Sequence, residues 1–372
     1  MRHLYLHVPF CVRRCSYCDF SIAVRREIPV AEYVDSIRRE LALRHTGGGA
    51  LDTLYLGGGT PSLLPGSAIR ELLHAMLAAF PETARDGLEV TLEANPEDVT
   101  HDKVREWSAA GVNRVSLGAQ SFDDRVLQWM HRSHDAARIG AAVGNLRAEG
   151  ITNVSLDLIF AVPPELGRDW TRDLDLAVAL EPAHLSLYGL TVEERTPLAR
   201  WINRGAISGV DEDRYARDYL LAHDRLSSAG FRFYEVSNAA RAGRRSAHNS
   251  AYWSGAPYLG LGPAAHSFDG RARSWNVAPW EGYRRAMAAG RLPAESEEVL
   301  TPAQRELERL YLRLRTDRGL PLEDVAQARA TVDSWRVAGW IEIRDGVVVC
   351  TPEGWLRLDA LISALTGLPV TV

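Results

Sequence analysis

The stretch His3-Leu4-Tyr5-Leu6-His7-Val8-Pro9-Phe10-Cys11-Val12-Arg13-Arg14-Cys15-Ser16-Tyr17-Cys18 sets a short apolar strand directly ahead of three cysteines spaced CxxxCxxC. Three thiolates on one loop are one ligand short of a closed metal site. Structural zinc takes four protein ligands, and iron–sulfur clusters are usually held by four cysteines. The only other cysteine, Cys350, lies far along the chain beside Val347-Val348-Val349 and reads as a small packing side chain. No second CxxC or Cys/His pair is spaced to complete a zinc ribbon. Disulfides between cysteines three or four residues apart on a polar loop make a poor secreted framework. The triplet therefore reads as Cys11, Cys15 and Cys18 on three irons of a [4Fe–4S] cluster, with the fourth iron open to a substrate or cofactor.

Outward from that loop, short apolar runs alternate with helical patterns. Strands are predicted at Leu4–His7, Thr53–Leu56, Leu88–Glu93, Arg114–Leu117, Val154–Phe160 and His184–Leu187. Helices are predicted at Val30–Arg44, Ile69–Phe80, Asp102–Ala110, Asp135–Glu149 and Arg168–Ala179. This rhythm is an α/β class with a parallel sheet, and about six right-handed crossovers make a partial (β/α)6 barrel. The polar and glycine residues gather at the strand ends. Gly57-Gly58-Gly59-Thr60-Pro61, Glu93-Ala94-Asn95-Pro96 and Gly118-Ala119-Gln120-Ser121 each follow a strand, and Asp157 falls near the end of another. In a β/α barrel those ends meet on the face where chemistry is built.

With 372 residues the chain can bury a large core and carry a second, smaller unit. A net charge of −5 gives no reason to expect a general nucleic-acid surface. His3, His7 and Pro9 break the first apolar stretch, so it is not expected to be a signal peptide. No run reaches transmembrane length. An oxidation-prone cluster motif in a chain with few cysteines suits a reducing cytoplasm.

A boundary is predicted near 285, giving a core at 1–285 and a C-terminal domain at 286–372. Beyond it, helices at Pro302–Leu314, Leu322–Ala328 and Ser334–Ala338 precede a hairpin whose turn is Asp345-Gly346. A last helix is predicted at Gly354–Thr366. Helices followed by a hairpin suggest a winged helix. Acidic Glu342 and Asp345 on the hairpin favour a packing or partner-docking role over duplex binding.

Together these residues resemble the radical S-adenosylmethionine (SAM) superfamily. CxxxCxxC with Tyr17 before the last cysteine, and Gly57-Gly58-Gly59-Thr60-Pro61 after a strand, carry the resemblance. It implies that SAM chelates the open iron and that an electron from the cluster releases a 5′-deoxyadenosyl radical. Within the superfamily the chain is similar to oxygen-independent coproporphyrinogen III dehydrogenases and their heme-chaperone relatives, which share the opening Tyr5-x-His7-x-Pro9-Phe10-Cys11. The resemblance assigns Tyr5, Gly58 and Glu93 to the cluster-bound SAM. It assigns Gly59, Thr60, Gln120, Arg132 and Asp157 to a second SAM. Each has a plainer reading as a strand end, a cap or an ion pair, and whether one or two SAM bind stays open.

Two features point to the chaperone group. Where the dehydrogenases carry a further cysteine two residues after the third, this chain has Phe20. His248-Asn249-Ser250-Ala251-Tyr252-Trp253 matches the HNxxYW motif tied to heme in that group. The resemblance thus assigns His248, Asn249, Tyr252 and Trp253 to heme. An imidazole is a good axial iron ligand, and aromatic rings can pack on a porphyrin. Arg241, Arg244 and Arg245 could meet propionates, or could form an ordinary solvated turn. His266 is a rival axial ligand. His7, on an apolar strand, reads as a hydrogen-bonded core residue. The expected partners are heme, acceptor hemoproteins that include membrane-associated respiratory enzymes, and an electron donor. The expected location is the cytoplasm, with peripheral membrane association. A radical enzyme of the dehydrogenase type, or a relative that methylates or cyclopropanates small molecules, is the alternative function.

Overall fold

Six strands pair in parallel and in chain order: β1 (His3–Val8), β2 (Thr53–Gly58), β3 (Glu89–Ala94), β4 (Arg114–Gln120), β5 (Asn153–Phe160) and β6 (His184–Gly189). The computed structural model describes residues 1–45 and 48–367. Helices Val30–Arg44, Gly66–Ala79, His101–Ala110, Ala136–Ala148 and Trp170–Ala179 lie in the connections, close to their predicted bounds. Asp135 and Asp169 cap two of them by accepting the Arg138 and Arg172 amides.

The strand sequences show why this sheet has an interior worth using. Leu4, Leu6, Leu54, Leu56, Val90, Leu92, Val115, Leu117, Leu156, Leu185 and Leu187 are buried. Between them stand Tyr5, His7, Tyr55, Thr91, Glu93, Arg114, Ser116, Ser155, Asp157, His184 and Ser186. Side chains alternate across a strand, so the register puts each set on one face. A parallel sheet buried against helices on both faces reads as continuous apolar runs. Here one face packs the helices and the other lines a polar lumen.

The barrel does not close. Beyond β6 the sheet gains two antiparallel strands, β7 (Arg232–Glu235) and β8 (Asn238–Ala240), with β8 next to β6. Beyond β1 it gains a parallel strand, β9 (Tyr258–Leu261), and then antiparallel β10 (His266–Phe268), β11 (Ala272–Asn276) and β12 (Ala294–Val299). A twelve-stranded sheet with two edges is a partial barrel. One buried carboxylate ties the β1 side together. Glu40 accepts bonds from Arg44 Nε (2.7 Å), the Gly262 amide (2.8 Å), Asn276 Nδ2 (2.7 Å) and the Tyr283 hydroxyl (2.8 Å).

The sheet continues past residue 285 to Val299, and the helix Trp280–Ala288 straddles that position. That edge strand, Ala294–Val299, is the last of the large sheet. After it come the helices Pro302–Leu314 and Arg329–Val337, with a 3-10 turn at Leu322–Ala328 between them. A three-stranded sheet follows, of β13 (Leu320–Pro321), β14 (Ile341–Arg344) and β15 (Val347–Cys350). Asp345 (φ 50°) and Gly346 (φ 77°) make the hairpin turn in the left-handed region that its tight geometry demands. Cys350 is buried and free, as its apolar run predicts. No helix among the described residues is long and apolar enough to cross a membrane.

Candidate functional site at the barrel mouth

The cysteine loop leaves β1 and is pinned at its ends and middle. Phe10, fully buried, packs edge-on against Tyr33 (5.5 Å) and Trp280 (5.3 Å). The loop returns alongside its own start, where the Ala23 amide donates to Pro9 O (2.7 Å) and the Arg25 amide to Cys11 O (2.9 Å). Its middle is held by the Ser16 amide on Met130 O (3.1 Å) and by Ser16 O, which accepts the Leu198 amide (2.9 Å). Tyr17 joins a small apolar cluster with Val126, Met130, Leu190 and Leu198. So the backbone is fixed while Cys11, Cys15 and Cys18 stay partly exposed and free.

All three cysteines line one cavity of about 490 Å³ at the C-terminal ends of the strands. Gly58, Gly59, Thr60, Glu93, Gln120, Arg132 and Asp157 line it too. The structure thus gathers ten of the predicted residues from five strand ends into one space. Cys11 Sγ lies 3.3 Å from Thr60 Oγ1, and Arg132 Nη1 donates to Cys15 Sγ at 3.6 Å. Burial raises the Cys11 thiol and pushes Cys18 up to about 11. Loading iron must therefore displace protons. Among the described residues no group of three or more His, Cys, Asp or Glu is arranged to hold a metal ion. A [4Fe–4S] cluster fits the donor set, because each soft thiolate then takes a different iron.

The glycine run has a structural cause. Gly58 sits at φ 112°, and a Cβ there would stand 2.6 Å from the His7 ring. A Cβ on Gly59 would stand 2.7 Å from Phe10 O. Their amides are used internally, Gly58 N on Glu93 Oε2 (3.0 Å) and Gly59 N on Val8 O (2.8 Å). The Gly58 and Gly59 amides are therefore not free to meet a ligand. The run lets the cysteine loop and the floor approach each other.

Glu93 also accepts from the Tyr55 hydroxyl (2.8 Å). Its carboxyl is pushed up to about 7, chiefly by burial and then by the nearby charge of Asp157, against the Tyr55 and Gly58 bonds. Asp157, raised by burial, accepts from Ser116 Oγ (3.0 Å) and Ser155 Oγ (3.2 Å). Gln120 has φ 65°, at a register shift in the β4–β5 pairing. A non-glycine residue held there stores strain at the cavity edge. Arg132 donates to Asn95 Oδ1 (2.5 Å) and Gly118 O (3.0 Å), its Nε has no partner, and no carboxylate pairs with it among the described residues. It is a cation suited to an incoming anion, not one half of a surface ion pair. Asn95, its anchor, stood in the predicted strand-end motif without a role.

Tyr5 does not line the cavity. Its ring lies beneath Gly57, and its hydroxyl bonds His7 Nδ1 (3.0 Å). His7 Nε2 donates to Ser21 O (3.2 Å), and burial lowers this imidazole to about 4. It is a neutral core residue, as its apolar strand predicts.

His248, Asn249, Tyr252 and Trp253 do not join the cysteines. Their helix, Ala247–Trp253, sits at the opposite end of the barrel, where Glu89 at the start of β3 accepts the Ala247 and His248 amides (2.9 and 3.0 Å). His248 is 1% exposed, and its ring nitrogens bond Thr53 Oγ1 (2.7 Å) and the Tyr252 hydroxyl (3.0 Å). Burial lowers it to about 3. Trp253 lies under the Arg315 guanidinium (4.3 Å), which reaches Glu235 Oε2 (3.0 Å). Trp253 thus packs against a residue beyond the last strand of the large sheet. Arg245 pairs with Asp317 and Arg241 donates to Pro182 O, so of the three arginines only Arg244 has no such partner among the described residues. His266 is exposed on β10, stacked on Trp275 (5.7 Å).

The Radical SAM superfamily model matches residues 5–177. The heme chaperone HemW of Mycobacterium tuberculosis is 38% identical over 98% of this chain and 94% of its own length. HemW of Bacillus subtilis is 33% identical over 88% and 86% of the two chains. The mitochondrial radical S-adenosyl methionine domain-containing protein 1 of Bos taurus is 33% identical over 97% and 86%. The solved coproporphyrinogen III oxidase HemN of Escherichia coli, a radical SAM enzyme, overlays with a TM-score of 0.81 at 21% identity, over 98% of this chain and 89% of that one, which supports the fold. The polar lumen, the open cysteine triplet and these full-length likenesses agree, and the chain belongs to the radical SAM superfamily and, within it, to the heme chaperone HemW family.

Proposed function

We propose that the chain is a heme carrier that keeps a [4Fe–4S] cluster and SAM at its barrel mouth, takes up heme and passes it to acceptor hemoproteins. The observation that carries this reading is a mouth equipped for cluster and SAM in a chain with full-length likeness to chaperones named for heme. Cys11, Cys15 and Cys18 would hold the cluster. When bound, the cluster and SAM supply one-electron radical chemistry. Glu93 and Gly58 would meet the SAM amino group and Arg132 a carboxylate, with Gln120 and Asp157 orienting what lies above. An electron donor and a membrane-side acceptor belong to the same reading.

The test is an anaerobic hemin titration of the cluster-loaded protein, followed by transfer to an apo-hemoprotein acceptor. Saturable one-to-one binding with acceptor reconstitution is expected. Failure to bind hemin sinks the reading. A SAM- and reductant-dependent product from coproporphyrinogen III would replace it with the enzyme alternative.

The raised Glu93 carboxyl makes a second prediction. A protonated Glu93 cannot pair with the SAM ammonium, and an ionised one can. SAM affinity should therefore strengthen as pH rises through about 7. Glu93→Gln should flatten that dependence and weaken binding at high pH. Calorimetric titrations at several pH values read it directly, and an unchanged slope in the variant would remove Glu93 from the SAM site. In the ligand-free protein the sign is opposite. The folded pKa is raised above the unfolded carboxylate value, so this group's contribution to stability is lost as pH climbs from that value toward 7.

A further inference from the structure

We propose that His131 is the axial ligand through which this chain holds heme iron at the cavity rim. The inference rests on the carrier reading above. Of the eleven histidines, His131 alone lines the cavity with the cysteines. Its ring nitrogens have no partner among the described residues, and its ring meets Trp201 edge-on (5.5 Å). Its backbone sits at φ 59°, a conformation that non-glycine residues adopt at a cost and that clusters at functional sites. The carbonyl of the preceding Met130 holds the Ser16 amide, so the imidazole is tied to the loop that carries the cysteines.

His248 lacks both properties a ligand to an exchanging cargo needs. It is buried, and both its nitrogens are already bonded. His131 is half-buried, lines the cavity and has no side-chain hydrogen bond among the described residues. The rim around it suits an amphiphilic, anionic macrocycle. Phe20 is 63% exposed and Tyr188 is 46% exposed, and both line the same cavity. Arg13, exposed on the same lining, forms no ion pair among the described residues and can meet a propionate. Phe20 gains a purpose here, as apolar surface in place of a thiol.

The experiment is the anaerobic hemin titration repeated with His131→Gly, which relieves the left-handed strain, and with His131→Asn, which tolerates it. Both variants should keep the cluster absorption. Both should lose the wild-type Soret position and bind hemin about tenfold or more weakly, a change in Kd worth about 1.4 kcal/mol. Added imidazole should restore the spectrum of the glycine variant. Wild-type affinity and Soret position in both variants would overturn the His131 assignment and leave the carrier reading standing. No hemin binding by the wild type would instead overturn the carrier reading, and this inference with it.

Discussion

Cys15→Ala, or the same change at Cys11 or Cys18, should abolish cluster binding and leave the fold almost untouched. Two thiolates remain in each variant, and two cannot retain a cluster already one protein ligand short. Reconstitution with iron and sulfide should give no visible charge-transfer band, and the protein-bound iron count should fall to background. The fold survives because the loop is not held by its sulfurs. Phe10 is anchored between Tyr33 and Trp280, Ser16 is bonded on both sides, and the chain returns along Pro9 and Cys11. The cluster-free variant should unfold within about 0.5 kcal/mol of the cluster-free wild type, as expected for a partly exposed side chain without a packing role. A variant that still loads iron to the wild-type count would show that the triplet is not the ligand set. One that fails to fold without iron would show that the loop depends on its metal.

Glu40→Leu should cost about 3–5 kcal/mol, the range for removing one partner from a buried charged network. Leucine fills a similar volume but accepts no hydrogen bond. Arg44, the Gly262 amide, Asn276 and the Tyr283 hydroxyl would lose their shared acceptor together. These four come from the first long helix, the turn after β9, β11 and the helix Trp280–Ala288, so the loss falls on the side of the sheet beyond β1. Urea unfolding should show a lower midpoint with the slope little changed, and hydrogen exchange in β9 to β11 should speed up first. A shift under about 1 kcal/mol would mean that water replaces the carboxylate as acceptor. The variant leaves the cysteines in place, so it separates stability from cluster loading.

The contrast between these two sites matches what could be read before the structure. CxxxCxxC, Gly57-Gly58-Gly59 and the strand-end residues Glu93, Gln120 and Asp157 are local signals. A β/α repeat brings strand ends to one face whatever the details, so spacing and strand position were enough to collect them. The six core strands and their helices were legible for the same reason, since their apolar periodicity is short-range. Glu40 gave no such signal. It reads as an ordinary helical glutamate, and three of its four partners lie more than 200 residues away. The short strands beyond β1 and β6 were missed because edge pairing is set by distant neighbours and not by their own composition.

Sequence by itself determined the α/β class, the open cysteine triplet and the face on which the site is built. The tertiary structure decided three things that local pattern could not. The glycine amides at the mouth turn inward because the cysteine loop and the floor press together at Gly58 and Gly59. The His248 motif lies at the far end of the barrel, because Glu89 and Thr53 at the strand starts capture its helix and its ring. And His131, one unremarked histidine among eleven, reaches the cavity because Met130 carries the bond to Ser16 and the chain turns through a left-handed residue just after it. Each depends on groups far apart in the chain meeting in space, and burial and hydrogen-bond demand become visible only once they have met.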